Sequence, residues 1–410
     1  MDAYKIANEL VRISSFKTRE ELQSIVNSKK NPYYAIISLE ADIVLIFEGI
    51  ELLSMYEYVK NYFYHINTDI LNTISLKNFI RELDNILFES KKTSNEITPE
   101  TIKNIINSFL EKPISSFLII KGIHGIKLNN TGNKLVLGPF VIYHQPFYKE
   151  ITKKDYPDTN DFLWHDWEHE YLVTININAR SKDKAYELAD EMLYQLELFI
   201  YFSIGHYKKE FCINIISQMT YKFKSYLLLE KDTFGFNFSR EIVENVPLDD
   251  PYFTDNNNGN DKIWNLLFKR KKTAMEKRII TSIEWIGKAN SEMNNINRFL
   301  FYVIAIESLL TFQEKTMITP SIANSISESI AMILGSNYED RIIIEKQVKE
   351  IYSIRSAITH GNDKLVSDEE MNIVMDISRY VLRAFLTNNN LSKIQNIEQF
   401  IEYLKKEKYR

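Results

Sequence analysis

Between Ile279 and Ala384 the apolar residues return at intervals of three and four, in runs separated by short polar breaks. A chain written this way is confined to packed helices. Ile279, Ile283, Ile286 and Ala289 form one such face, and Phe299, Val303, Ile306 and Leu310 form the next. Thr319-Pro320 opens a third run, Ile322, Ile326, Ile330 and Ile333, which Gly335 stops. A fourth extends from about Glu339 to Thr359. Ser367-x-x-Glu370 is a capping box for a fifth, through Ile373, Ile377, Tyr380, Val381 and Ala384. Short connections make an up-and-down bundle the expected arrangement. Residues 397–410 read as an added amphipathic helix with a basic end.

Upstream, residues 1–112 also read as helical. Ile6, Leu10, Val11 and Ile13 begin an apolar stripe, and 43–88 carries Leu, Ile, Phe and Tyr at mixed helical intervals. Thr98-Pro99 supplies an N-cap followed by proline at the first helical position. Tyr56, Tyr58, Tyr62, Phe63 and Tyr64 are spaced as core residues, and too few basic residues interleave them for an RNA-stacking surface. The pattern changes at Lys112-Pro113. Residues 115–121, 126–128 and 134–143 are rich in Ile, Val, Leu and Phe, with Asn129-Asn130-Thr131-Gly132 as a hairpin signal between the last two. Residues 171–177 alternate as a strand, 185–202 return to helical spacing, and 211–216 and 222–229 read as strands. Pro247-Leu248-Asp249-Asp250-Pro251 and a polar run from Thr254 to Asp261 then mark a boundary. The expected class is α+β. A helical N-terminal region (1–112) and a mixed α/β middle module (113–246) lead through a polar linker with a basic run (247–271) to an all-α bundle (272–410).

Composition excludes several classes of function. Only 11 Gly and 9 Pro in 410 residues oppose disorder and favour long regular elements. The one cysteine, Cys212, forms no internal disulfide and suits a reducing compartment. No basic n-region with an apolar core opens the chain, and its most apolar stretches are short and interrupted by glutamates. A cytoplasmic protein with no membrane partner is expected. A net charge of −5 opposes broad adhesion to nucleic acid while leaving room for a local basic patch. The densest one is Lys269-Arg270-Lys271-Lys272, followed by Lys277-Arg278, by default a solvated helix start and otherwise a candidate contact for RNA phosphates. His165-Asp166-Trp167-Glu168-His169 departs from the zinc-binding H-E-x-x-H pattern, because aspartate follows the first histidine and glutamate directly precedes the second. A polar loop or strand edge is its expected role. With no glycine-rich phosphate loop and no G-x-S-x-G, no cofactor and no metal is expected.

The late helix of the bundle carries Tyr352-Ser353-Ile354-Arg355-Ser356-Ala357-Ile358-Thr359-His360-Gly361. Arginine five residues before histidine, with the small polar Ser356 after it, resembles the signature of HEPN domains, helical domains found in many bacterial RNA-cutting toxins. Two further blocks extend the likeness. Ile304-Ala305-Ile306-Glu307-Ser308-Leu309-Leu310 resembles the "ALExLL" helix of ApeA-like HEPN proteins, and Ile283-Glu284-Trp285-Ile286-Gly287-Lys288-Ala289 their "AIxWxxxA" helix. The resemblance covers about residues 272–390. It implies a metal-independent endoribonuclease acting on cellular RNA, tRNA among the targets, in defence against phage, with a phage-derived trigger.

The residue types suit that chemistry. RNA cleavage without a metal needs a base for the 2′-OH, an acid for the leaving 5′-oxygen and a cation for the phosphate. His360 titrates near working pH and fits the proton transfers. Arg355 offers a planar fork for two phosphate oxygens, Ser356 is a substrate-binding candidate beside it, and Glu307 is placed to orient the arginine. Five residues advance a helix by roughly 500°, so Arg355 and His360 lie about 140° apart on a straight one. Either the last turn relaxes before Gly361, a natural residue after a helix end, or a second copy supplies the missing partner. In HEPN proteins the motif lines a cleft between paired domains, so the resemblance implies a homodimer. Read alone, the same residues also fit a structural role, with Arg355 bridging to Glu307 and His360 closing the helix end. A noncatalytic HEPN module binding RNA or protein, and the toxin of a toxin–antitoxin pair, are the competing expectations. In toxins silenced by tyrosine modification a tyrosine follows at H-x-Y, whereas Gly361-Asn362 follow His360 here.

Overall fold

The computed structural model describes residues 2–28, 33–37, 42–148, 150, 170–205, 212–215, 223–230, 233–240, 245–254, 259–269, 271–312, 322–361 and 364–409. These form an α+β protein and fall into two compact units, 1–119 with 176–189, and 120–175 with 190–410.

The first unit is helical, as its sequence predicts, with a small sheet added. Its helices are α1 (Ala3–Ile13), α2 (Arg19–Ser28), α3 (Ile50–His65), α4 (Thr68–Thr73), α5 (Leu76–Thr93) and α6 (Pro99–Leu110). Helix starts are written in the sequence. The Asp2 carboxylate accepts from the Tyr4 N–H at 3.0 Å, and Thr98 forms the expected cap, reciprocated by Thr101, with Pro99 next. Strands β1 (Ser15–Thr18), β2 (Tyr34–Ile37) and β3 (Ile43–Glu48) pair antiparallel in the order β1-β3-β2. Val44, Leu45, Ile46 and Phe47 are all buried, so the central strand shows no alternation and resembles a buried helix segment in sequence. Phe63, Phe79, Leu83, Leu87 and Phe109 fill the core. Tyr56 and Tyr64 join it as expected, while Tyr58 and Tyr62 stack on one another at the surface.

Strand β4 (Ser115–Ile123) begins the strand-rich segment, with β5 (Ile126–Lys127), β6 (Lys134–Leu137), β7 (Phe140–His144) and β8 (Tyr171–Ala179). A four-stranded sheet has the order β4-β8-β7-β6. The hairpin lies inside the third predicted run, 134–143, and not across Asn129–Gly132. Leu137 pairs with Phe140 around Gly138-Pro139, with Gly138 at φ 58°, which a Cβ would disfavour. Asn129, Asn130 and Thr131 have another task. Their N–H groups donate to the buried Asp249 carboxylate, at 2.8 Å for Asn129 and 2.7 Å for Thr131. These hydrogen bonds draw the Asp249 carboxyl below its ordinary range against the opposing effect of burial. Strand β9 (Phe223–Glu230) pairs antiparallel with β10 (Thr233–Arg240), and β11 (Val246–Pro247) pairs parallel with β5. Of the strand expected at 211–216, the described part contributes a single bridge, His124 to Asn214.

Where described, the expected linker is structured. Asp249 ties it to the 129–131 turn, and after α8 (Pro251–Thr254) the helix α9 (Asn260–Phe268) buries Ile263, Trp264 and Leu267. The alternation of Asp and Asn with these apolar residues disguised a short buried helix as a polar loop.

The bundle comprises α10 (Ala274–Ser291), α11 (Asn295–Leu310), α12 (Ile322–Leu334), α13 (Tyr338–Thr359), α14 (Asp368–Thr387) and α15 (Ile397–Lys408). Thr273 with Glu276, and Ser367 with Glu370, form capping boxes, the second as predicted. Ile283, Ile286, Phe299, Tyr302, Ile330, Val348, Val374 and Val381 meet in its core, and Phe400 of α15 packs on Phe385. A long helix from outside 272–410 packs deeply on the bundle. It is α7 (Lys182–Ile204), whose last turns bury Leu196, Leu198, Phe199, Ile200 and Phe202 on every side. Gly287 of α10 lies so close to it that an added Cβ would stand 2.3 Å from the Leu198 carbonyl oxygen. The end carbonyls of α7 are received by bundle side chains, Asn290 Nδ2 donating to Tyr201 O at 2.7 Å and Arg379 Nη1 to Phe202 O at 2.7 Å. Arg379 is fully buried, and its guanidinium also lies over the Phe202 ring.

Candidate functional site

Two helices bring the predicted residues together. Glu307 comes from the last turn of α11 and Arg355 from the penultimate turn of α13. Ala305, Ile306 and Leu309 fix α11 from inside, while Val348, Ile351, Tyr352 and Ile354 fix α13, so both charged side chains stand at the margin of the core. Arg355 Nε lies 3.7 Å from Glu307 Oε1, with the arginine side chain 41% and the glutamate 23% exposed. That is a partly solvated ion pair, longer than a hydrogen bond, and it leaves the guanidinium accessible.

His360 is not beside them on the helix. It is the C-cap of α13, at φ −92° and ψ 11°, and Gly361 follows at φ 77°. The left-handed glycine is the predicted C′ residue, and the last turn relaxes as its N–H bonds back to Ile358 O at 3.1 Å. Thr359 Oγ1 donates to Arg355 O at 3.0 Å, which closes the same turn. The imidazole is exposed and makes no hydrogen bond to the described residues. It continues a solvent-facing stripe, Tyr338, Ile342, Lys346, Lys349, Ser353 and Ser356, that recurs every three or four residues along α13. Ser356 therefore lies between Arg355 and His360 on the open side of the helix. A groove of about 530 Å³ runs along this stripe past Ile342, Lys346, Lys349 and Ser353. A larger one of about 730 Å³ lies between α12, α13 and α14, and neither is lined by Arg355, Glu307 or His360.

The basic run is largely engaged within its own chain. Lys269 Nζ bonds Glu276 Oε1 at 2.7 Å and Lys272 Nζ donates to Lys269 O at 2.8 Å, so both consolidate the start of α10. Lys271 is exposed, and Arg270 lies outside the described residues, as do His165, His169 and His206. Arg278 Nη1 donates to the end carbonyls of α11, Ser308 O at 3.0 Å and Leu309 O at 3.4 Å, and so fixes the helix end that carries Glu307. Burial lowers the hold of Arg278 on its proton, which for a guanidinium leaves it charged. Among the described residues no three His, Cys, Asp or Glu side chains are grouped to hold a metal ion. No described helix is long and apolar enough to cross a membrane.

Two residues of the site escape a linear reading. Arg278 appears in the sequence as one cation among several, and only the packing of α10 on α11 reveals its acceptors. Tyr352 reads as a core aromatic. Its hydroxyl is indeed buried, yet it faces charge: burial first, then the Glu307 carboxylate, push the phenol well above its ordinary range, with Arg355 pulling the other way. No family model matches the chain, and neither a curated protein nor a solved structure matches it.

Proposed function

We propose that this chain is a HEPN-type endoribonuclease that cleaves RNA without a metal ion and works as a homodimer. The observation that carries the reading is the Glu307–Arg355 pair at the core margin, with His360 exposed at the end of the same helix. In this reading the Arg355 fork grips the scissile phosphate, and Glu307 restrains its inner nitrogen. One His360 takes the 2′-OH proton. The 2′-oxygen attacks phosphorus, the P–O5′ bond breaks, and a second His360 protonates the leaving oxygen. The products are a 2′,3′-cyclic phosphate and a 5′-hydroxyl end. Cellular RNA, tRNA included, is the proposed substrate and a phage-derived signal the proposed trigger, both on the family resemblance. The test is to express the wild type and His360→Ala in a bacterial host, with and without phage challenge, and to map RNA 5′ ends. New 5′-hydroxyl ends are expected in the wild type alone. Ends that persist in His360→Ala and vanish with a chelator would move the chemistry to another site.

The α13 stripe supports the dimer. Along it Glu345–Lys349 and Lys346–Glu350 alternate in sign, and the exposed Ile342 and Tyr338 supply apolar surface. Two copies related by a twofold axis would set such a face against itself and bring two His360 side chains to one cleft. Ile342→Lys should therefore yield a monomer by light scattering and lose cleavage. A monomer with full activity would contradict the composite site.

A further inference from the structure

Tyr352 stands one turn before Arg355 on α13, at the spacing that places both side chains on neighbouring positions of one face. The residue is 9% exposed, and its hydroxyl oxygen is shut off from solvent with no acceptor at hydrogen-bond distance and angle. A buried hydroxyl left in that condition is destabilising, because it has given up its water without gaining an acceptor. The group it faces is the Glu307 carboxylate, which keeps a 3.7 Å separation from Arg355 Nε. Glu307 is partly exposed and sits in the last turn of α11, so its side chain has room to move. A small rotation of that carboxylate would let one oxygen accept from the tyrosine and the other from the arginine.

We propose that Tyr352 is a positioning residue for Arg355, acting through Glu307. Its hydroxyl donates to the Glu307 carboxylate and fixes it, so that Glu307 holds the guanidinium by Nε and leaves the two terminal nitrogens for an incoming phosphate. The role of Arg355 rests on the ribonuclease reading above, while the Tyr352–Glu307–Arg355 contact does not. A carboxylate pinned from one side by a neutral donor cannot follow the arginine as it moves. This converts a loose surface ion pair into a fixed clamp.

Tyr352→Phe removes one oxygen and keeps the ring. In full-length protein labelled with ¹⁵N-arginine, the Arg355 Nε–H signal is identified by its absence in Arg355→Lys. Tyr352→Phe and Glu307→Gln should both speed exchange of that proton with solvent by about tenfold, with the melting temperature unchanged in Tyr352→Phe. An unchanged Arg355 signal in Tyr352→Phe, with a changed one in Glu307→Gln, overturns the proposal. If Tyr352→Phe fails to fold, 3-fluorotyrosine at position 352 reports the same contact. Its ¹⁹F resonance should move on Glu307→Gln and stay in place on His360→Ala, and an unmoved resonance overturns the contact. Cleavage assays form a separate arm. Tyr352→Phe should lower kcat/KM about tenfold in the wild type and have no effect in an Arg355→Ala background. Absence of any RNA cleavage, with the spectroscopic changes present, would sink the ribonuclease reading and spare the contact.

Discussion

Asp84 is a residue whose proton affinity couples to folding. The Tyr56 hydroxyl donates to its carboxylate at 2.7 Å, and burial raises the carboxyl to about 6 from its ordinary 3.8, against the opposing pull of that bond and of Lys60. A folded value above the unfolded one means that the folded chain holds the extra proton between pH 4 and pH 6. On this group's account, stability falls as pH rises through that window and stays low at neutrality. Asp84→Asn keeps an oxygen for Tyr56 and removes the charge. It should stabilise the protein by about 2 kcal/mol at pH 7, after allowance for solvent screening, and leave it unchanged near pH 4. Denaturant titrations of both proteins at the two pH values check this, and a difference that ignores pH would remove the argument. At this scale the legible residues are those whose chemistry lies in a linear pattern. Arg355, Ser356, His360 and Glu307 stand out because they fall in short linear blocks that resemble a known family's. Asp84 and Tyr352 lie close to charged or polar groups on other helices, so their sequence neighbours say nothing of their charge environment.

Elements were legible where local chemistry decides them. Thr98 before Pro99, Ser367 with Glu370, and Gly361 after His360 mark real helix ends, because a cap is a contact within four residues. Elements decided by tertiary burial were obscured, as with β3, buried on both faces, and α9, begun by polar residues. Gly287 shows how the two kinds of information can oppose each other. A glycine inside α10 lowers helix propensity, and local reasoning would have alanine stabilise it by about 1 kcal/mol. The close approach of the Leu198 carbonyl reverses the sign, since a Cβ at 2.3 Å must displace backbone. Gly287→Ala should therefore destabilise the protein by about 1–3 kcal/mol. Thermal melting measures it, and a raised melting temperature would show that α7 yields to the intrusion.

At the scale of the whole molecule, the sequence suggests a bundle that begins at residue 272, and the packing extends it backward to α7. Periodicity reveals that 279–384 is helical, but it cannot say which distant helix fills the last face, because that depends on shape and not on spacing. The consequence can be tested by cutting the chain at 272. A fragment of residues 272–410 keeps its own helical stripes and its capping boxes, so its far-ultraviolet circular dichroism should remain helical. It loses the buried Leu196, Phe199 and Phe202, uncovers Gly287 where Leu198 lay against it, and takes the Phe202 carbonyl and ring from Arg379. Asn290 likewise loses the Tyr201 carbonyl and keeps its contact with Tyr302. Taking an acceptor from a buried charged donor costs about 1.5–3 kcal/mol, a sizeable part of a typical domain's stability, before any apolar loss is added. The fragment should bind a hydrophobic dye, lose its near-ultraviolet signal and melt without a cooperative transition. A double change, Arg379→Met with Asn290→Leu, replaces the two polar side chains that receive α7 by apolar ones and should restore part of the cooperativity to the fragment while destabilising the intact chain. A fragment that melts as sharply as the full-length protein would mean that α7 rests on a finished bundle.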